Sequence, residues 1–258
     1  TAAAANDYTG WGLSGAGDIN GDGFADVLIG ASDADGGGSG AGAVYLVFGK
    51  NTAFSATLNP GSLNGTTGYI FNGVNASDLA GVSVTNIGDI NGDGTDDFAI
   101  GAYSADPDGS NATGAAYVIF GGSSNLASLD AADGTTNGSI DLDHLNGANG
   151  FVVRGVAASD KFGFSMDYAG DLNGDGYNDL VIGAKDADPN GQSNGGETYV
   201  IFGGTSVGSS GTILASTLDG TNGIRFLGED SNDASGYAVS GAGDINGDGK
   251  SDLLIGIN

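Results

Sequence analysis

Four times along this chain the same nine-residue segment returns, and each time it runs directly into an apolar stretch. DINGDGFAD begins at Asp18, DINGDGTDD at Asp89, DLNGDGYND at Asp171 and DINGDGKSD at Asp244. The apolar stretches are VLIGA, FAIGA, LVIGA and LLIGI. The spacings are 71, 82 and 73 residues. Self-similarity at a fixed period means that one supersecondary unit is being used repeatedly, and it narrows the possible folds more than composition does.

The rest of the unit repeats in register. Eight residues before each leading Asp stands Gly10, Gly81, Gly163 or Gly236, and three residues earlier Asp7, Asp78, Asp160 or Asp233. AVYLVFG, AAYVIFG and ETYVIFG follow downstream, and then LNGTTGYIFNG, LNGANGFVVRG and LDGTNGIRFLG. Each unit therefore reads as four short strands separated by Gly, Asn and Asp turns. In the second unit they fall near 81–87, 97–102, 115–120 and 151–154. The second and third strands are nearly continuous apolar runs, as expected of strands buried on both faces. Four-stranded sheets repeated radially make an all-β β-propeller. A stacked β-helix uses much shorter repeats. The units span about 1–73, 74–155, 156–228 and 229–258, three complete and half of a fourth. The second carries an insert within about 126–145, expected as a loop on the binding face or a tolerated surface loop.

The repeated segment carries the chemistry. Asp18, Asn20, Asp22 and Asp26 stand at positions 1, 3, 5 and 9 of the first loop. Asp89, Asn91, Asp93 and Asp97 do so in the second, Asp171, Asn173, Asp175 and Asp179 in the third, and Asp244, Asn246, Asp248 and Asp252 in the fourth. Calcium takes about six to eight oxygen ligands, and alternating Asp/Asn side chains in a tight loop can aim several at one point. Position 6 is always glycine, which permits the sharp turn. Position 7 offers only a backbone carbonyl and is free to vary, as it does through Phe24, Thr95, Tyr177 and Lys250. An EF-hand would need Glu at position 12 and flanking helices; here position 12 is Ile29, Ile100, Ile182 or Ile255, within a strand-like run. A hairpin turn alone explains Asn-Gly-Asp-Gly but not acids at positions 1, 5 and 9. Mg²⁺ prefers few protein ligands and several waters. About four calcium sites are expected, with Asp at position 9 closing each.

Charge fits this reading. Acidic residues number 32 against 6 basic, a net charge of −26, which disfavours nucleic acid and anionic membranes as partners. The chain has no cysteine, which excludes disulfides, thiolate metal sites and cysteine nucleophiles, and leaves metal as a means of reinforcement. No run of 18 apolar residues is present to span a membrane, and no signal peptide is visible ahead of a chain that begins at Thr1, as a fragment or processed product would.

These units resemble the FG-GAP repeats of the integrin α-subunit β-propeller. Phe162-Gly163 matches the Phe-Gly element, which shifts to Ala80-Gly81 and Ser235-Gly236 elsewhere, and Gly30-Ala31, Gly101-Ala102 and Gly183-Ala184 match the Gly-Ala element. The loop resembles the family's D-x-[DN]-x-D-G-x-x-D cation site. The resemblance implies a propeller with calcium between the first and second strands of a blade, where the ions brace the fold and do no chemistry. The family's propellers commonly have seven blades. Three and a half units do not close a ring alone, so a segment of a larger repetitive surface protein is expected, or neighbouring chains that add strands at 253–257.

Other residues have plainer readings. Asp33/Asp35, Asp106/Asp108 and Asp186/Asp188 read as solvated turns, with an accessory cation site as the alternative. Asp7, Asp78, Asp160 and Asp233 read as turn caps, with reach to a neighbouring metal as the alternative. Trp11 shares its repeat position with Val82, Phe164 and Tyr237 and is expected in the core, with sugar stacking as the alternative; Tyr69, Phe151 and Ile224 also align and are expected buried. His144, the only histidine, lacks a catalytic partner arrangement. The function expected is a non-enzymatic, calcium-binding adhesive or assembly module, extracellular or on a bacterial cell surface, whose partners are calcium and other chains or further repeats. The alternatives are a lectin-like propeller that binds glycans and an accessory domain of a secreted hydrolase.

Overall fold

Apolar runs bounded by glycine turns become strands, and their order follows the repeat. The structure is a computed structural model that describes residues 6–107, 109 and 112–258; Asp108 lies outside the described residues. The first sheet is an antiparallel meander of β1 (Thr9–Gly17), β2 (Asp26–Ala31), β3 (Ala43–Val47) and β4 (Gly68–Asn72). β5 (Ser83–Gly88), β6 (Asp97–Ala102) and β7 (Ala115–Ile119) begin the second. Helix α1 (Ser123–Asp130) and the short β8 (Ser139–Asp141) precede its outer strand, β9 (Gly150–Arg154). β10 (Phe162–Gly170), β11 (Asp179–Ala184), β12 (Glu197–Ile201), β13 (Thr212–Leu214) and β14 (Gly223–Leu227) come from the third unit, and β15 (Ala238–Gly243) and β16 (Asp252–Gly256) from the fourth.

The second and third strands of the two middle sheets, β6, β7, β11 and β12, are buried along their whole length. The sheets stack face to face. Phe71 of the first sheet meets Phe98 of the second edge-on, with ring centres 5.2 Å apart. Phe162 and Tyr199 make the same contact within the third. Such edge-to-face pairs add about 0.5–1.5 kcal/mol beyond area burial. The inner strands β1, β5, β10 and β15 lie side by side in that order.

Two glycines per unit let the sheets approach. A Cβ on Gly30, Gly101 or Gly183 would stand 2.0–2.2 Å from the carbonyl oxygen of Gly81, Gly163 or Gly236 in the next unit. These partner glycines have φ between 84° and 92°, where L side chains are strained. The Gly-Ala element of one blade thus interlocks with the Phe-Gly element of the next.

The sheets are not purely four-stranded. β8, from the insert of the second unit, pairs in parallel with β4, matching Phe71 to Ile140. β13 pairs the same way with β9. Each is a strap that the following unit lays on the outer edge of the blade before it, covering an edge that would otherwise offer free N–H and C=O groups. The insert is therefore anchored at both ends rather than free, while residues 131–137 between them stay exposed. Leu126 and Leu129 of α1 and Ile140 and Leu142 of the strap are buried in the core beside Phe48 and Tyr69. Asp130, itself buried, holds the turn by accepting from the N–H groups of Asn137 (3.2 Å) and Gly138 (2.8 Å).

Candidate metal loops and an aromatic groove

The four acidic loops stand between the first and second strands of each sheet, at one end of the inner strands. Their local form follows from Asx chemistry: each side-chain oxygen accepts a backbone N–H a few residues on. Asp18 accepts from Asp22 (2.9 Å) and Gly23 (2.8 Å), and Asp22 from Phe24 (2.9 Å). The other loops repeat this: the position-6 glycine donates to the position-1 Asp at 2.8 Å in the second and 2.9 Å in the third and fourth. In the first three loops the position-3 Asn donates to the position-5 Asp at 2.8–3.0 Å. In the fourth, Asn246 reaches Asp252 at 3.2 Å instead. The structure thus gathers positions 1, 3 and 5 into one turn, with their carboxylates partly or fully exposed.

Position 9 has a second task. Asp26, Asp97 and Asp179 are buried. One oxygen of each accepts from position 2 of its loop, the N–H of Ile19, Ile90 or Leu172, at 2.8–3.0 Å. The other accepts from Gly49, Gly121 or Gly203, just past the third strand, at 2.8–2.9 Å. One carboxylate therefore ties loop to sheet, a role the spacing did not reveal. A carboxylate oxygen carries two lone pairs, so these bonds leave capacity for a cation.

Electrostatics agree with the donor set. Burial first, then the charges of Asp93 and Asp89, push the Asp97 carboxyl up to about 8 against the N–H groups of Gly121 and Ile90. Asp179 is pushed up to about 6 for the same reasons, and Asp26 is raised. A carboxylate whose burial and acidic neighbours oppose its ionisation is what a divalent ion would relieve. Oxygen donors alone, with no sulfur or nitrogen, suit calcium.

The other acids act locally. Asp78, Asp160 and Asp233 cap turns by accepting from the N–H groups of Asn75 (3.0 Å), Ala157 (2.9 Å) and Asp230 (3.1 Å). Asp35 and Asp188 hold turns through Gly40 (2.9 Å) and Asn194 (2.7 Å), and Asp106 through Ala112. Sequence reasoning did not single out Asp141 and Asp143, which with His144 bring potential ligand atoms within 4.8 Å of one another. Asp141 already accepts from Asn72 (2.9 Å) across the strap, and Asp143 lies 3.8 Å from His144.

At the opposite end of the inner strands lies a groove of about 570 Å³ lined by Tyr8, Trp11, Tyr103, Phe164 and Tyr237. Trp11 is not in the core but 66% exposed, because its place at the start of an inner strand points into this mouth. Tyr69 and Phe151 are buried as expected, while Ile224 is half-buried. Lys161 sits over the Tyr103 ring and Lys185 over Phe164, each at 5.0 Å. No helix among the described residues is long and apolar enough to cross a membrane.

Comparison with known proteins agrees with this architecture. The FG-GAP repeat pattern matches residues 9–47, 80–119, 168–201 and 235–257. Integrin alpha-PS2 of Drosophila melanogaster is 30% identical over 187 residues, 70% of this chain and 12% of that protein. Human Integrin alpha-6 is 30% identical over 168 residues, 65% of this chain and 12% of its own length. Phosphatidylinositol-glycan-specific phospholipase D of Bos taurus is 29% identical over 204 residues, 78% of this chain and 21% of that protein. The chain thus spans about an eighth to a fifth of the length of these relatives.

Proposed function

The chain belongs to the FG-GAP repeat family, and from that premise we propose that it is a calcium-braced, non-enzymatic β-propeller module of the cell exterior, serving adhesion or assembly. The observation that carries this reading is the position-9 aspartate. In the first three loops it is a buried carboxylate that joins the acidic loop to its sheet, beside acids whose shared charge asks for a cation. Positions 1, 3, 5 and 9 and the position-7 carbonyl would hold the ion. A bound calcium supplies positive charge and coordination, not a reaction centre. The loop's own residues orient oxygen donors and transmit the bracing to the third strand. Four ions would bring the net charge from −26 to −18 and ease self-repulsion.

The likeness to integrin α-subunits supports an adhesive role. The phospholipase D match favours a second reading, in which such repeats accompany a hydrolase as an accessory domain. The aromatic groove favours a third, a glycan site, which an array probed with and without calcium would detect. The calcium reading is tested by thermal melting in EDTA and again after calcium is restored. A dissociation constant near 10⁻⁴ M in millimolar calcium contributes about 1.4 kcal/mol per site. Four such sites would move the midpoint by roughly 10–20 °C. An unchanged midpoint would sink the proposal.

A further inference from the structure

The four loops have nearly the same ligand set, but they do not have the same neighbours. Residues from positions 7 and 8 of the second, third and fourth loops lie against the loop of the unit before. Over the first loop stand Thr95 and Asp96. The Asp96 carboxylate accepts the backbone N–H of Asp18 at 3.0 Å, which places an extra negative charge at the loop's first ligand. Over the second loop stand Tyr177 and Asn178. The Tyr177 ring covers Gly92, where a Cβ would meet it at 2.4 Å, and the Asn178 amide abuts Gly88. Both are uncharged. Over the third loop stand Lys250 and Ser251. The Lys250 ammonium donates to the backbone carbonyl of Asn173 at 2.8 Å, and Ser251 N–H donates to the carbonyl of Asp171 at 2.9 Å.

The overlying charge is therefore −1, 0 and +1 for the first, second and third loops. These side chains are not ligands of the loop they overlie, but Asp96 and Lys250 lie against residues that would be, Asp18 and Asn173. A unit charge several ångströms from a divalent ion, near the surface and partly screened, changes affinity by about three- to tenfold. We infer that each unit tunes the cation affinity of the loop before it, so that the third loop, under Lys250, binds calcium more weakly than the first, under Asp96. Asp96 acts as an electrostatic reinforcement and Lys250 as a tethered competitor. Both are positioning residues that act through the loop they touch. The joint between the third and fourth units, already bridged by Lys250, is then the one that depends least on calcium.

This inference rests on the calcium reading, and one experiment separates the two. The position-6 glycine of each loop donates to its position-1 Asp, so the amide resonances of Gly23, Gly94 and Gly176 report the three loops separately during a calcium titration. The expected order of midpoints is Gly23 before Gly176, at rising calcium. Lys250→Met should move the Gly176 midpoint to about three- to tenfold lower calcium and leave Gly23 in place. Asp96→Asn should move Gly23 to higher calcium by a similar factor and leave Gly176 in place. If all three glycines titrate together, and neither substitution moves its own reporter, the tuning is wrong while calcium binding stands. If no glycine responds, calcium binding and its tuning fall together.

Discussion

The two ends of the inner strands obey different rules. At one end, Asp, Asn, Asp and Asp recur without substitution at positions 1, 3, 5 and 9 of all four loops. At the other end, the equivalent positions are Trp11, Val82, Phe164 and Tyr237. A loop built to hold a cation, as proposed, depends on charge, donor count and reach, which few side chains supply. A shallow apolar mouth depends mainly on volume and contact, which several side chains can supply. Substitutions at the loop end should therefore be costly and position-specific, whereas those at the groove end should be tolerated.

The largest effect is expected at Asp97, which is 0% exposed and accepts from both Ile90 and Gly121. Asp97→Ala leaves two buried N–H groups without acceptors, each costing about 1–3 kcal/mol. Denaturant unfolding in chelator, where no ion contributes, should show a loss of roughly 2–6 kcal/mol. Asp97→Asn keeps one acceptor oxygen and should lose less. Equal stability of Asp97→Ala and the parent would mean that position 9 serves metal alone.

Next in size is the strap. Ile140 is 1% exposed in the cluster that spans the first two sheets. Ile140→Ala should cost about 2–4 kcal/mol in the same assay. A loss below about 0.5 kcal/mol would return the insert to the surface-loop reading.

A smaller effect should appear as a pH slope. Burial holds the carboxyls of Asp160 and Asp179 at about 6 and that of Asp97 at about 8, above the unfolded value of 3.8. Between the unfolded and folded values the native chain holds the extra protons, so stability falls as pH rises. In chelator, stability should decline from pH 4 to pH 8. Asp133, Asp219 and Asp244, whose carboxyls are held below the ordinary value, titrate beneath this window. Asp160→Asn should flatten the part of the slope between about pH 4 and 6. A slope of the opposite sign would show that these carboxylates are stabilised in their charged form.

What the sequence revealed divides along the same line. The strands, the loop positions and the interlocking glycines were legible because each is repeated and each has a local cause: an apolar run bounded by turn residues, an Asx turn or a positive φ. In the second unit, the expected strand at 97–102 is the observed β6 to the residue. The straps were not legible. β8 and β13 are three residues long and owe their pairing to an edge that lies some 67 residues earlier in the case of Asn72 and Ser139. The second role of position 9 was hidden for the same reason, since its partner Gly121 stands 24 residues downstream. Non-local contacts leave little trace in a sliding window.

The smallest effect is expected at Trp11, and it is the sharpest check on the contrast between the ends. The residue is large, unique in the chain and easily mistaken for core. Its exposure of 66% and its edge contact with Tyr8, at 6.0 Å, leave little to lose. Trp11→Ala should change unfolding free energy by no more than about 0.5 kcal/mol. Phe162→Ala, at the fully buried start of β10 in the third sheet, should cost about 3–5 kcal/mol. A Trp11 loss that approached the Phe162 value would mean that the groove is closed over by further structure in solution. The tolerance assigned to that end would then belong to an open surface the protein does not have.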